Sequence, residues 1–474
     1  MLGRRSSGLG EDFPTDLSQR ERLHCRNYKT YYTNSQKLTM QSGWRIGSLF
    51  NIPLFIDPSW FLIIAFLTFQ NGVLWQQRYT SWSPTIAYSA GFVMALLLFA
   101  SVLLHELGHS LVAKSKGIEV SSIRLFLFGG VAAIEKEPKL PGEMFQIAIA
   151  GPLVSLGLWI LCTALVIFLP ISNTVVLVLL SSIASLNLTL TLFNLIPGLP
   201  LDGGQMLKAI VWKSSGDYLT GAHWAAKTGL WLGWTISIIG FADVLGVTGS
   251  LGLPEIVGFW GVLIGWFMRQ NAQNADRLTD VQEAMMKLDA QSVMTRDYRV
   301  LDAEMNLRQF AEEMVLKENP GTTYFAASDG RYRGAVSVDM LQTVERSLWN
   351  SQTLRELATP LSELPHVAER TPLAEVIQRL EVEKLEKITV LTLSGAVSGM
   401  IDRGDITRAV SQQMGFEISP NLVTQIKTSG NYPPGLQLSR IADSVQEIKA
   451  GEAIQAAAQQ EAAATTALSS PDVQ

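Results

Sequence analysis

The sequence predicts a polytopic α-helical membrane domain followed by a pair of tandem α+β units. The membrane domain has about six transmembrane helices and a short β-hairpin or sheet at its cytoplasmic side. Three observations carry this expectation. The chain of 474 residues is 47% hydrophobic and only 17% charged, and its mean hydropathy of +0.20 exceeds that of an ordinary soluble protein. Apolar runs of membrane length are confined to residues 56–269, and from about residue 275 the chain is soluble in character. That second part is written twice on one plan.

Residues 1–39 are polar and lack the apolar core that a signal peptide needs, and their acidic residues argue against a transit peptide. Met40 opens a new character with "MQSGWRIGSLFNIPLFIDPSWF". Residues 1–39 therefore read either as a disordered extension or as a stretch ahead of the true start. The membrane domain is expected over 40–272. Its spans fall at about 56–75, 84–113, 143–169 with an interruption at Gly151-Pro152, 174–196, 222–247 and 253–269. The connection 114–143 holds Lys114, Lys116, Arg124, Lys136 and Lys139, and Lys208, Lys213 and Lys227 follow the fourth run. The connections near 170–174 and 247–253 hold no Lys or Arg, and the one near 76–83 holds only Arg78. By the positive-inside rule the Lys-rich connections are cytoplasmic, and an even number of spans leaves both termini there.

The second run ends in His105-Glu106-Leu107-Gly108-His109. Residues four apart on a helix stack one turn above another, so both imidazoles face one way. Two such His can share a zinc ion, and the carboxylate between them can act as general base towards a metal-activated water. The bland alternative is two imidazoles and a carboxylate packed without a task. Membrane depth makes that costly, so the ligand reading is the stronger. A catalytic zinc centre takes three protein ligands and leaves a position open. Asp202 in "FNLIPGLPLDGGQML" is the best third ligand. It follows the fourth run on the expected side of His109, and Pro197, Pro200, Gly203 and Gly204 break the helix so that the carboxylate can turn inward. Its bland alternative is a solvated surface turn.

Between the second and third runs, "SSIRLFLFGGVAAIE" is apolar and β-prone around Gly129 and Gly130. It reads as a membrane-surface hairpin or as an edge strand that pairs with an extended, unwound substrate. Elsewhere, His223 beside Trp224 reads as interfacial or packing, His366 as surface, and Asp243 takes no role. Cys25 and Cys162 form neither a metal pair nor a disulfide framework. The net charge of −5 and the lack of a basic run interleaved with aromatics exclude a nucleic-acid partner.

In the soluble part, "QSVMTRDYRVLDAEMNLRQFAEEMV" leads to "TTYFAASDGRYRGAVSVDML", and the stretch from "LATPLSELPHVAERTPLAEV" to "GMIDRGDITRAV" repeats the plan. Each copy offers an extended opening, an amphipathic helix, two strands around a turn, and a helix. The period of roughly sixty residues is longer than solenoid periods, so two copies make a pseudo-symmetric pair, expected over 285–347 and 354–412. The segment 434–474, rich in Ala, Gln, Ser and Thr, is expected to be a tail that is disordered or loosely helical.

His105-Glu106-Leu107-Gly108-His109, taken with Asn194-Leu195-Ile196-Pro197-Gly198-Leu199-Pro200-Leu201-Asp202-Gly203, resembles the H-E-x-x-H and N-x-x-P-x-x-x-L-D-G motifs of the site-2 protease family of intramembrane zinc metalloproteases. The resemblance implies one Zn2+ per chain held by His105, His109 and Asp202, with Glu106 as general base. It also implies a supporting hydrogen-bond role for Asn194 and a substrate-clamping strand at Gly129 and Gly130. "AGPLVS" at 150–155 resembles the family's A-G-P-x-x-N, with Ser155 in place of the Asn. The repeat resembles a tandem pair of cystathionine-β-synthase (CBS) domains, which implies an adenine nucleotide near Ser337 and Asp339 or near Asp405. In the family pattern the Asp follows a hydroxyl residue by three. Here Ser337 precedes Asp339 by two, and Asp402 takes the hydroxyl position ahead of Asp405, where a second carboxylate would repel phosphate. Together the resemblances cover residues 40–412.

The implied activity is endoproteolysis of transmembrane segments of single-pass membrane proteins, with anti-sigma factors as one bacterial class. Membrane lipid and a second copy joined through the CBS units are the other implied partners. The setting would be a bacterial-type cell membrane, or a plastid membrane in a eukaryote. Two rivals are a CBS-regulated transporter and an inactive protease-like binding protein. The first predicts polar clusters along several spans, yet they gather only near the metal motif. The second predicts loss of His105, Glu106, His109 or Asp202, and all are present.

Overall fold

The computed structural model describes residues 43–127, 129–247, 258–316, 323–433 and 437–469. The N-terminal extension expected over 1–39 lies outside them. The described chain opens with strands β1 (Trp44–Leu49) and β2 (Ile52–Ile56), followed by helices α1 (Ser59–Arg78) and α2 (Pro84–Ser115). Strands β3 (Val120–Phe126) and β4 (Gly129–Ile134) come next. Helices α3 (Pro141–Phe168), α4 (Thr174–Asn194), α5 (Asp202–Ser215), α6 (Tyr218–Val244) and α7 (Gly258–Lys287) complete the first part.

Among the described residues, α2, α3 and α4 are long and apolar enough to cross a membrane. The runs expected at 56–75, 222–247 and 253–269 are also helical where described, as α1, α6 and the opening of α7. Helix α2 starts where Ser83 accepts a hydrogen bond from the Ile86 amide and Pro84 takes the first helical position. It ends at Lys116, ahead of Gly117 with φ +77°. The interruption expected at Gly151-Pro152 is absent, and α3 runs through Pro152 unbroken. A lone proline removes one backbone donor, and its neighbours hold the helix. Helix α5, which the apolar runs did not foretell, begins at Asp202.

The expected hairpin is half of a larger sheet of order β1-β2-β3-β4. β1 and β2 are antiparallel, β2 and β3 parallel, and β3 and β4 antiparallel, which leaves β4 at an edge. Leu107 of the motif packs with Ile52, Leu54, Ile123 and Ile147 beneath the sheet. The helix that presents the two His is therefore fastened to the sheet that carries β4.

Helix α7 is one continuous helix of 30 residues, apolar at its start and charged at its end. It leads into the short α8 (Ala290–Val293), β5 (Tyr298–Asp302), α9 (Leu307–Leu316), β6 (Thr323–Ser328) and β7 (Arg331–Val336). The short α10 (Leu354–Leu357), β8 (Thr359–Pro360) and β9 (His366–Ala368) follow. Then come α11 (Leu373–Val382), β10 (Lys387–Leu391), β11 (Val397–Asp402), α12 (Arg403–Gln413) and α13 (Pro420–Ser429). The repeat is visible in the ladders: β5 with β6 and β9 with β10 are parallel, whereas β6 with β7 and β10 with β11 are antiparallel.

The packing does not respect the sequence boundaries at 285 and 354. Met285, Ala290 and Val293 enter the core of the second unit with Val367, Leu373 and Ile377, and Thr295 bridges Met400. Conversely, Leu354 lies in the first unit's core with Leu307 and Phe310, and β8 pairs with β7. Each unit is completed by the segment that opens the other, because short apolar stretches go wherever a sheet face is left uncovered. The disordered form of the tail is corrected over the described residues in favour of the helical alternative. Residues 438–469 form helix α14 (Leu438–Ser469). Leu438, Ala442 and Val445 join the second unit's core. This helical stripe sits ahead of the Ala- and Gln-rich end that dominates the composition.

Candidate active site

The helix spacing of the motif brings His105 and His109 to one face of α2, and both are buried. Their Nε2 atoms are 3.2 Å apart. Asp202, the first residue of α5, completes a triangle: its Oδ2 is 3.1 Å from His105 Nε2 and its Oδ1 is 3.3 Å from His109 Nε2. A helix N-terminus favours a carboxylate at this position. Just behind Asp202, Gly203 and Gly204 press so closely on the backbone of Leu195 and Gly198 that side chains would not fit.

One face of α3 orients the imidazoles. The Ile147 carbonyl lies 2.7 Å from His109 Nδ1, and Ser155 Oγ lies 2.9 Å from His105 Nδ1. Gly151, midway between them, passes against both Nε2 atoms, and any Cβ there would collide with the rings. Residues 147, 151 and 155 are four apart, so a single helix face supplies an acceptor, a gap and a hydroxyl. The Ser that stands in the Asn position thus still bonds a motif His. Sequence reasoning missed the Ile147 carbonyl, which leaves no side-chain signal, and the steric task of Gly151, although the i, i+4 spacing of Gly151 and Ser155 was readable.

Glu106 points from the same turn towards β4. Its carboxylate meets the Ala132 backbone, and a Cβ on Gly130 would stand 2.7 Å from Glu106 Cγ. Bare backbone at Gly130 lets the edge strand run against the acid. Gly129 adopts φ +134°, where side chains are strained. Asn194 is the last residue of α4, half-buried at the start of the loop leading to Asp202.

Ser337 and Asp339 are exposed beside β7 in the first unit. Asp405 is buried in the second, where it accepts from Thr295 Oγ1 at 3.1 Å and pairs with Lys427 at 2.9 Å and Arg408 at 3.0 Å. It also forms a capping box with Asp402. Burial alone would push the Lys427 ammonium down, but Asp405 and Asp402 outweigh it and hold it above its ordinary value. His223, expected to be interfacial or packing, joins α6 to α7: its Nδ1 is 2.8 Å from Asp276 and its Nε2 is 3.6 Å from Glu283. Asp276, Asp280 and Glu283 recur on one face of α7, which is the sequence signal for that cluster.

Residues 93–175 and 170–234 match peptidase family M50. The chain is 39% identical to sll0528 of Synechocystis sp., which is named as a zinc metalloprotease, over 78% of this chain and 96% of that protein. The chain belongs to peptidase family M50, the site-2 protease family of zinc metalloproteases. Among solved structures this M50 peptidase is similar to the Site-2 Protease from Methanocaldococcus jannaschii. The identity is 30% and the TM-score 0.35, over 50% of this chain and 95% of the other. It is also similar to the CBS domain of a bacterial CNNM/CorC-family Mg2+ transporter, with 12% identity and a TM-score of 0.24, over 30% of this chain and 86% of the other.

The donor set fits the metal that the family implies. A tetrahedral zinc with ligands at 2.0–2.1 Å separates its donors by about 3.3 Å. The two Nε2 atoms, 3.2 Å apart, match such an edge, and one Asp202 oxygen lies at a similar distance from each of them, Oδ2 from His105 and Oδ1 from His109. A carbonyl only accepts, so His109 carries its proton on Nδ1 and turns an Nε2 lone pair towards the other donors. The His109 lone pair, the His105 Nε2 and a carboxylate converge there, a donor set that suits a cation.

Proposed function

We propose that this M50 peptidase is a multi-pass intramembrane zinc endopeptidase that cleaves transmembrane segments of single-pass membrane proteins. The observation that carries the reading is the convergence of His105, His109 and Asp202 at zinc-ligand spacing beside Glu106 and the edge strand β4. His105, His109 and Asp202 are the zinc ligands in this reading. Zinc, when bound, supplies a Lewis acid and lowers the pKa of water. Glu106 takes the proton of the attacking water and hands it to the leaving amide nitrogen as the C–N bond breaks. β4 pairs with the unwound substrate and holds it extended past Glu106, since a peptide bond locked in a helix offers its carbonyl to no nucleophile. Asn194 donates to the substrate backbone.

The proposal includes six spans, with α1, α6 and α7 crossing beside α2, α3 and α4, and with both termini and the soluble units in the cytoplasm. The tandem units act as a CBS pair. An adenine nucleotide is taken at the exposed Ser337 and Asp339, because the Asp405 carboxylate is already engaged by Lys427 and Arg408. The test is zinc content and cleavage in detergent-purified protein. His109→Ala and Asp202→Ala should lose the metal, whereas Glu106→Gln should keep it and stop cleavage; unchanged cleavage by Glu106→Gln sinks the mechanism.

A further inference from the structure

The loop between β4 and α3, residues 135–140, is held from two sides, and the cleavage chemistry accounts for neither hold. On the inner side Tyr218 Oη donates to Glu137 Oε2 at 2.5 Å. Lys208 Nζ donates to Tyr218 Oη at 2.5 Å, pairs with Glu137 at 3.4 Å and lies 4.1 Å above the Tyr218 ring. Lys208 and Tyr218 are buried, so an ammonium here depends on its carboxylate partner. Burial pushes the Glu137 carboxyl up, but Lys208 and Tyr218 outweigh it and hold it below the ordinary carboxylate range. On the outer side, α14 sets Glu447 3.6 Å from Lys136. It also lays Gly451 against the Lys139 carbonyl and packs Ile448 among Met144, Trp212 and Tyr218.

The geometry of α5 gives these contacts a purpose. Asp202 begins the helix and Lys208 lies six residues on, about 9 Å along the axis at 1.5 Å per residue. One rigid helix therefore holds a metal donor at one point and, through Glu137, the exit of β4 at another. Ala132 of that strand meets Glu106. A strand advances about 3.3 Å per residue, and a slip of one residue turns its other face outward. We propose that Lys208, Tyr218 and Glu137 are positioning residues that set the register of β4 against Glu106, and with it the peptide bond that is cut. This rests on the protease reading and on β4 as the substrate strand.

The test uses the full chain in detergent as wild type, Glu137→Ala, Glu137→Gln and Lys208→Met. The probe is a synthetic peptide with about 20 apolar residues interrupted by Asn-Gly and flanked by fluorophore and quencher. Product masses, KM, kcat, zinc content and hydrogen exchange in residues 129–136 are measured. Glu137→Ala and Lys208→Met should raise KM about fivefold or more, in keeping with a buried group left unpaired. They should also add products displaced by one or two residues, speed exchange in β4 and leave zinc unchanged. Glu137→Gln, which keeps an acceptor for Tyr218 but leaves the Lys208 ammonium without its carboxylate, should give fewer displaced products than Glu137→Ala and more than wild type. A single wild-type product from Glu137→Ala and Lys208→Met overturns the proposal, as does activity that falls only in step with zinc. A wild type that leaves the probe intact counts against the protease reading. The clamp is then decided by exchange alone, and equal protection of β4 in wild type and Glu137→Ala overturns it.

Discussion

Replacing Gly151 by Ala adds one methyl group where α3 faces the two imidazoles, and that methyl would fall on His105 Nε2 and His109 Nε2. The helix cannot back away easily. On the same interface Gly108 of α2 already packs so tightly that a Cβ there would stand 2.8 Å from Val154 and 3.0 Å from the Ala150 carbonyl. The strain must go into the rings, whose Nδ1 atoms are tied to Ser155 and Ile147. Overpacking of this kind costs about 1–3 kcal/mol. Because the displaced atoms are the proposed ligands themselves, that converts to a roughly 5- to 150-fold loss of zinc affinity. The assay is a chelator-competition titration of zinc on purified protein, with the melting temperature read in parallel. Gly157→Ala on the same helix is the control, since its added methyl meets nothing within 4 Å, and it should bind zinc as wild type does. Wild-type zinc affinity in Gly151→Ala would refute the reasoning, because it would mean the imidazoles do not occupy the places described.

Three further outcomes follow from the same contacts. Ser155→Ala removes the partner of His105 Nδ1 and should weaken zinc binding about tenfold in the same titration, since outer partners of metal-ligating His typically contribute that much. Lys427→Met leaves the Asp402 and Asp405 carboxylates facing each other with Arg408 as the remaining cation against Asp405, and should cost about 1–3 kcal/mol in denaturant unfolding at neutral pH, below the full cost for a buried pair because Lys427 is partly exposed. The raised Lys427 value places its stabilisation fully below the ordinary lysine range near 10.4, and it is lost as pH rises through the folded value, so the gap between wild type and Lys427→Met should close at strongly alkaline pH. Truncation after residue 437 removes Leu438 and Val445, both fully buried. It should lower the melting temperature markedly, at about 1.5–3 kcal/mol per side chain, whereas truncation after residue 460 should not.

Much of the site was legible because its chemistry is local. The spacing of His105 and His109 places them on one face of any helix, and the Pro and Gly residues around Asp202 announce a broken backbone. The β-prone stretch around Gly129 and Gly130 announced a hairpin or an edge strand, and the doubled plan of the soluble part announced two units. Less legible was everything that depends on contact between remote segments. Composition hid the stripe Leu438, Ala442, Val445 behind the Ala-rich end of α14. The helix signal of α3 outweighed Pro152, and the exchange of short apolar segments between the two soluble units has no local signature. The ion pairs of His223, read as interfacial or packing, were hidden because its carboxylate partners lie on another helix.

By itself the sequence determined the residue types and spacings that can hold a metal and move a proton, because helix periodicity converts a four-residue step into a shared face without help from the rest of the chain. It also determined which runs are apolar enough to leave water. Only the tertiary structure decided that Asp202 comes within 3.1 Å of His105, that Gly151 leaves room for the rings and that Glu137 closes on Lys208 and Tyr218. Those are distances between segments far apart in the chain, and they are set by how helices and sheet pack against one another. No local preference of the residues involved encodes that packing.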